Sequence, residues 1–205
     1  MMDNQPFISA KQLLQWRSKQ LEIGGRAEDL DWLIDIGGGL GWDNLQKIKI
    51  FQREDYTFQM PLKKLSSLWL EHINNDVPLQ YLLGKCPWED FELEIDRSVF
   101  IPRQETELLL HFAISKASEI NNGLWADIGT GSGALSVGLA RALPAWLGHA
   151  VDLSEAALSI TQKNLNRLAP NVQVEMHLGD CLQPLKTWWG SFNLIVSNPP
   201  YIPSS

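Results

Sequence analysis

From Leu124 onward, short apolar runs alternate with amphipathic stretches. Leu124–Ile128, Gly148–Val151, Val172–His177 and Phe192–Ser197 have strand length and strand composition. Ala134–Leu143 and Glu155–Leu168 lie between them; Ser154 caps the second, while Pro144 and Pro170 stop the two. Near-continuous apolar strands separated by helices predict a parallel sheet covered by helices, the α/β class. Upstream of about Leu83 the apolar period is helical. Ser9 caps a first helix carrying Leu13, Leu14, Trp16 and Leu21, which Gly24-Gly25 ends. Glu28–Ile36 is a second helix stopped by Gly37-Gly38-Gly39, and Asn44–Phe51 a short third. Pro61 opens a fourth, with Leu65, Leu68, Trp69 and Ile73 along it. Trp16, Trp32 and Trp69 occupy core positions of this small helical bundle.

Between the two halves the period changes to two. Phe91, Leu93 and Ile95 alternate with Glu92, Glu94 and Asp96, which predicts a half-buried strand. Val99–Ile101 is its expected partner across Asp96-Arg97-Ser98. A helix from about Thr106 to Glu119 follows Pro102. The predicted organisation is a helical domain over 1–83, a β-hairpin linker over 84–101 and a parallel-sheet domain over 102–205.

Composition narrows the function classes. The chain has 205 residues, enough for a sizeable core, and a formal net charge of −7. That balance disfavours a general nucleic-acid binder, whose footprint is basic. Cys86 and Cys181 form no disulfide framework, and no Cys/His spacing matches a zinc-ligand cluster, so no metal site is expected. His177 is read as a structural residue. The start lacks the apolar h-region of a signal peptide and no apolar run spans a bilayer, so a soluble cytoplasmic protein with no membrane partner is expected.

Candidate chemistry collects where the strands end. Asp127-Ile128-Gly129-Thr130-Gly131-Ser132-Gly133 follows the first strand and opens a helix. Gly129 and Gly131 allow a ligand close to the backbone, and the amides at a helix start present positive potential. The G-x-G-x-G spacing is a weaker match to the dinucleotide fingerprint, which prefers G-x-G-x-x-G. Asp152 ends the second strand and is placed to accept both hydroxyls of a ribose. Asp180, ending the third, can accept from an exocyclic adenine amine. Asn198-Pro199-Pro200-Tyr201 follows the fourth strand. Its prolines remove two backbone donors, so neither helix nor sheet continues through it. The run reads either as a turn or as a rigid platform for a planar NH2 group. All four features fall after consecutive parallel strands, on the edge where open α/β sheets bind ligands.

With these residues in place, the chain resembles the class I S-adenosylmethionine-dependent methyltransferases, and within them the peptide chain release factor glutamine N5-methyltransferase family. The resemblance is carried by Pro78–Gly84, Phe100–Arg103 with Thr106-Glu107, Asp127–Gly133, Ala150–Ser154 with Ala157-Leu158, and Ile195–Ile202. It covers most of residues 78–205. It implies a Rossmann-like domain, here its first four strands, and S-adenosyl-L-methionine as cofactor. Asp127, Gly129, Thr130, Gly131, Ser132 and Gly133 would cradle that cofactor, Asp152 would bind its ribose, Asp180 would also contact the cofactor, and Cys181, the residue after it, would flank the adenine. Asn198 through Tyr201 would hold the substrate glutamine amide, with Asn198 also beside the cofactor. Peptide chain release factors are the implied partners, recognised through the helical domain. The chain departs from the family at Gln104-Glu105, where Pro-Asp is usual, and at Cys181, where an aromatic is common.

Two other readings stand beside this one. An N6-adenine methyltransferase uses a similar Asn/Asp-Pro-Pro-aromatic run on a flipped base; the acidic charge and the Pro78–Gly84 and Ile101–Arg103 segments favour a protein substrate. The second is an inactive fragment. Class I domains normally have seven strands, and the chain ends at Ser205, just past the fourth, leaving Phe192–Ser197 at an open apolar edge. A C-terminally truncated chain is therefore expected.

Overall fold

The computed structural model describes residues 7–50 and 55–199. It separates into two compact units, Met1–Leu83 and Gly84–Ser205.

In the first unit, α1 (Ala10–Ile23) starts at a capping box, in which Ser9 and Gln12 satisfy each other's backbone amides. The chain continues through α2 (Ala27–Trp32), α3 (Trp42–Ile50), α4 (Leu62–Asn75) and α5 (Leu79–Leu83). Pro61 is the N-cap of α4 rather than its first residue. Phe51, the predicted end of the third helix, lies outside the described residues. The predicted helix Glu28–Ile36 is not uniform: Leu33–Gly37 is one π turn, closed by Gly38 N–H donating to the Leu33 carbonyl. The wider turn puts Leu33, Ile34 and Gly37 together on the buried side. Trp69 is fully buried with Leu13, Leu30 and Leu65, and Trp16 and Trp32 pack against that core. Two short strands, β1 (Phe7–Ser9) and β2 (Asp55–Thr57), pair antiparallel. At three residues each they carry too little alternation to be read from sequence.

The second unit opens with a hairpin whose pairing differs from the predicted one. β3 (Lys85–Trp88) pairs with β4 (Phe91–Glu94) across Glu89-Asp90, with Glu89 at φ 52°. Asp96–Ser98 does turn, through Ser98 N–H donating to Asp96 Oδ1, but no strand follows it. Pro87 hid the true partner. In an edge strand Pro is tolerated, and the alternation sits in buried Cys86 and Trp88.

Four parallel strands follow: β5 (Leu124–Ile128), β6 (Leu147–Asp152), β7 (Val174–Leu178) and β8 (Leu194–Ser197), with spatial order β7-β6-β5-β8. The helices are α6 (Glu105–Ala117), α7 (Ala134–Ala142) and α8 (Glu155–Leu168), with a 3₁₀ turn over Gln183–Trp188. This is the Rossmann-like arrangement of the first four strands. The order reverses between β5 and β8, so a topological switch point lies between the loops that leave them. Among the described residues β8 pairs with β5 alone, and Ile195 is half exposed.

Trp125 and Gly148 are cross-strand partners, and the indole lies over the glycine. A Cβ on Gly148 would sit 2.1 Å from Trp125 Cζ2, and Trp125 is fully buried. Gly148→Ala is therefore expected to destabilise the chain by about 1–3 kcal/mol, through overpacking. Denaturant unfolding measures it; a midpoint equal to that of the unaltered protein would show that the indole moves freely.

Candidate active site

The site is built from the four loops that leave the carboxyl ends of β5, β6, β7 and β8. Gly129, Gly131 and Gly133 sit at φ 74°, 57° and 80°, the left-handed region that only glycine occupies without strain. The loop is anchored from behind, where Gly129 and Thr130 N–H both donate to the Val151 carbonyl. Its ligand side is open: a Cβ on Gly129 would meet nothing within 4 Å, and one on Gly131 only the Gly129 oxygen at 4.0 Å. Gly133 is different, since a Cβ there would press on Thr161 at 3.0 Å. The first two glycines keep space for a ligand, and the third seats the loop on α8. First-turn amides of α7 add donors at the same place.

Asp127 lies beneath the loop rather than on its open side. It is buried, and its Oδ2 accepts from Thr130 Oγ1 at 2.9 Å and Ser136 Oγ at 2.7 Å. Burial raises its pKa to about 6 against the lowering effect of those hydroxyls. Asp127, expected in the cofactor cradle, has its Oδ2 committed to the two hydroxyls that hold the loop's shape.

The folded pKa lies above the unfolded one, so the cost of the buried charge is present in full above about pH 6 and is relieved as pH falls through that value. From about pH 7.5 to about pH 5 this group is expected to contribute a relative gain of about 1 kcal/mol. Asp127→Asn cannot titrate. The unfolding free energy of the unaltered protein minus that of the variant should therefore rise on acidification. A flat difference would exclude a raised pKa.

Asp152, at the end of β6, accepts Gly131 N–H on Oδ2 at 2.9 Å and Ser154 N–H on Oδ1 at 3.0 Å. It therefore couples the glycine loop to the start of α8, whose N-cap is Ser154. A carboxylate has about four lone-pair sites, so two remain after these bonds. Asp180 follows β7 and is exposed. Cys181 stands at φ 46° with its thiol hydrogen-bonded to Asp180, which raises the thiol pKa and keeps it protonated.

Asn198 follows β8 directly. Its Nδ2 donates to Thr106 Oγ1 at 2.6 Å, and Thr106 is buried in the first turn of α6. Tying down the NH2 end fixes the amide plane and directs the Oδ1 carbonyl away from α6. Ser197 Oγ donates to the Ile128 carbonyl at 2.8 Å, holding the ends of β8 and β5 together beneath the site. Pro199 is exposed; Pro200 and Tyr201 lie outside the described residues.

Comparison with known proteins bears on the family. A methyltransferase small domain matches residues 104–204. The chain is 53% identical over its whole length to a release factor glutamine methyltransferase of Prochlorococcus marinus, and 34% identical over 98% of its length to one of Synechocystis sp.. A third, from Thermosynechococcus vestitus, is 45% identical over 72% of this chain. The chain spans 70%, 69% and 51% of the lengths of these three relatives.

The chain belongs to the release factor glutamine methyltransferase family.

For this methyltransferase the structure adds residues that the sequence reading passed over. Asn164 on α8 is fully buried: its Nδ2 donates to the Ser132 and Glu94 carbonyls, each at 2.9 Å, and its Oδ1 accepts Glu94 N–H at 2.8 Å. One side chain thereby fixes the hairpin, α8 and the glycine loop together. Thr161, one helical turn earlier, donates to the Gly131 carbonyl. The signal was available, because both polar residues fall on the apolar stripe of α8 with Ala157, Ile160 and Leu165.

No Cys/His spacing marks a zinc-ligand cluster, but folding brings three donors together. His149, Glu175 and His177 converge from β6 and β7, joined through register rather than sequence spacing. Both cysteines are free thiols. No helix among the described residues is long and apolar enough to cross a membrane.

Proposed function

We propose that this chain transfers a methyl group from S-adenosyl-L-methionine to the side-chain amide nitrogen of a glutamine in peptide chain release factors. The observation that carries this reading is the oriented Asn198 amide, held by Thr106 at the switch point beside an open glycine loop. When bound, the cofactor supplies an electrophilic methyl group on a sulfonium.

The chain's own residues supply position. Gly129, Thr130, Gly131, Ser132 and Gly133 form the cradle, with Asp127 holding its shape. The two uncommitted lone-pair sites of Asp152 match the two hydroxyls of a ribose. Asp180 would accept from the adenine amine, and Cys181 would flank the adenine.

An amide nitrogen is a weak nucleophile, because its lone pair is delocalised into the carbonyl. Two carbonyl acceptors, Asn198 Oδ1 and the Pro199 backbone oxygen, would each take one N–H of the glutamine. They fix the nitrogen and favour the positive charge that grows on it. Tyr201 would pack against the amide plane and exclude water.

A planar NH2 group is also what adenine presents, and the net charge of −7 weighs against a polyanionic substrate. A filter assay with radiolabelled cofactor decides between them. Label on release factor and none on DNA or RNA is the expected result. Label on nucleic acid alone would replace the glutamine reading with the adenine one.

A further inference from the structure

Two histidines and a glutamate on adjacent strands form a three-donor cluster that the methyl-transfer site does not use. Cross-strand register places His149 of β6 opposite Glu175 of β7, with His177 two residues further along the same face. His149 Nδ1 and His177 Nε2 are 2.9 Å apart, and each lies 3.7 Å from Glu175 Oε2. A triangle with these sides has a point about 2.0 Å from all three atoms, which is the bond length of Zn²⁺ to imidazole nitrogen and carboxylate oxygen. We infer that His149, Glu175 and His177 bind a divalent first-row transition metal, Zn²⁺ by ligand chemistry.

The surroundings fit that role. His149 is fully buried, walled by Trp188 at 4.7 Å and Phe192 at 5.4 Å between ring centroids. Neither ring offers an acceptor that competes for the His149 nitrogens. Among the described residues the His149 Nε2 has no hydrogen-bond partner, and the polar contacts of the ring lie inside the cluster, through Nδ1. Imidazole pairs with a carboxylate select Zn²⁺, Cu²⁺ or Ni²⁺ over Mg²⁺ or Ca²⁺.

Glu175 is half exposed, so a fourth position on its side is open to water. A bound ion would cross-link β6 to β7, the strands that lead into Asp152 and Asp180. Its effect is therefore expected on the rigidity of the cofactor edge rather than on the reacting atoms.

The test uses the full chain after treatment with chelator, titrated with ZnCl2 by calorimetry and with CoCl2 by visible absorption. One Zn²⁺ per chain is expected, with a tetrahedral-type cobalt spectrum and a melting temperature that rises with Zn²⁺. Glu175→Gln and His177→Gln are each expected to weaken binding at least about tenfold. Glu175→Gln changes an exposed side chain, so folding should survive, and circular dichroism checks it. Absence of stoichiometric binding would overturn the inference, as would affinity unchanged in both variants.

Discussion

Asn198→Ala is expected to abolish methyl transfer while leaving cofactor binding nearly intact. The Asn198 amide is fixed at one end by Thr106, and its free carbonyl is one of only two acceptors proposed for the substrate nitrogen. Removing a preorganised group that opposes transition-state charge typically costs about 10²–10³ in kcat. Here the same group also holds the nucleophile in place, so a loss at the upper end of that range is expected. Calorimetric titration with S-adenosyl-L-methionine should give an affinity close to that of the unaltered protein. Loss of cofactor affinity would instead assign Asn198 to the cofactor.

Asp152→Ala is expected to have the opposite signature, a collapse of cofactor affinity. Hydrogen bonds to a charged acceptor contribute about 1.5–3 kcal/mol each, so losing two ribose contacts would weaken binding by roughly 10²- to 10⁴-fold. The substitution also removes the acceptor of Gly131 N–H, which loosens the loop itself. Asp152→Asn keeps the shape and one acceptor oxygen, and should fall between the two. Calorimetry on both variants tests this, and unchanged affinity in the alanine variant would remove Asp152 from the ribose role.

The positions of Gly129–Gly133, Asp152, Asp180 and Asn198 were legible because each follows an apolar run, and parallel strands put all their carboxyl ends at one edge. The topology does the spatial work that no side chain announces. Ser154 and Ser9 were legible as caps for a local reason: their hydroxyls accept from the backbone three residues on.

The misses share a different cause. Pro87 masks a strand that succeeds because it lies at a hairpin edge, and the π turn at Leu33–Gly37 answers to core packing rather than to period. Asn164 binds Glu94 and Ser132, residues 70 and 32 positions away, so its role exists only after folding. His149 sits inside an apolar strand, and its partners at 175 and 177 reach it only through the register of β6 with β7.

The destination of the methyl group is the most direct test of the proposed activity. The chain should be incubated with S-adenosyl-L-methionine and a release factor, and the product fragmented by mass spectrometry. One added methyl group on the side-chain nitrogen of a single glutamine, absent with Asn198→Ala, is the predicted result. An unmodified release factor in the presence of bound cofactor, or a methyl group found instead on an adenine, would contradict it.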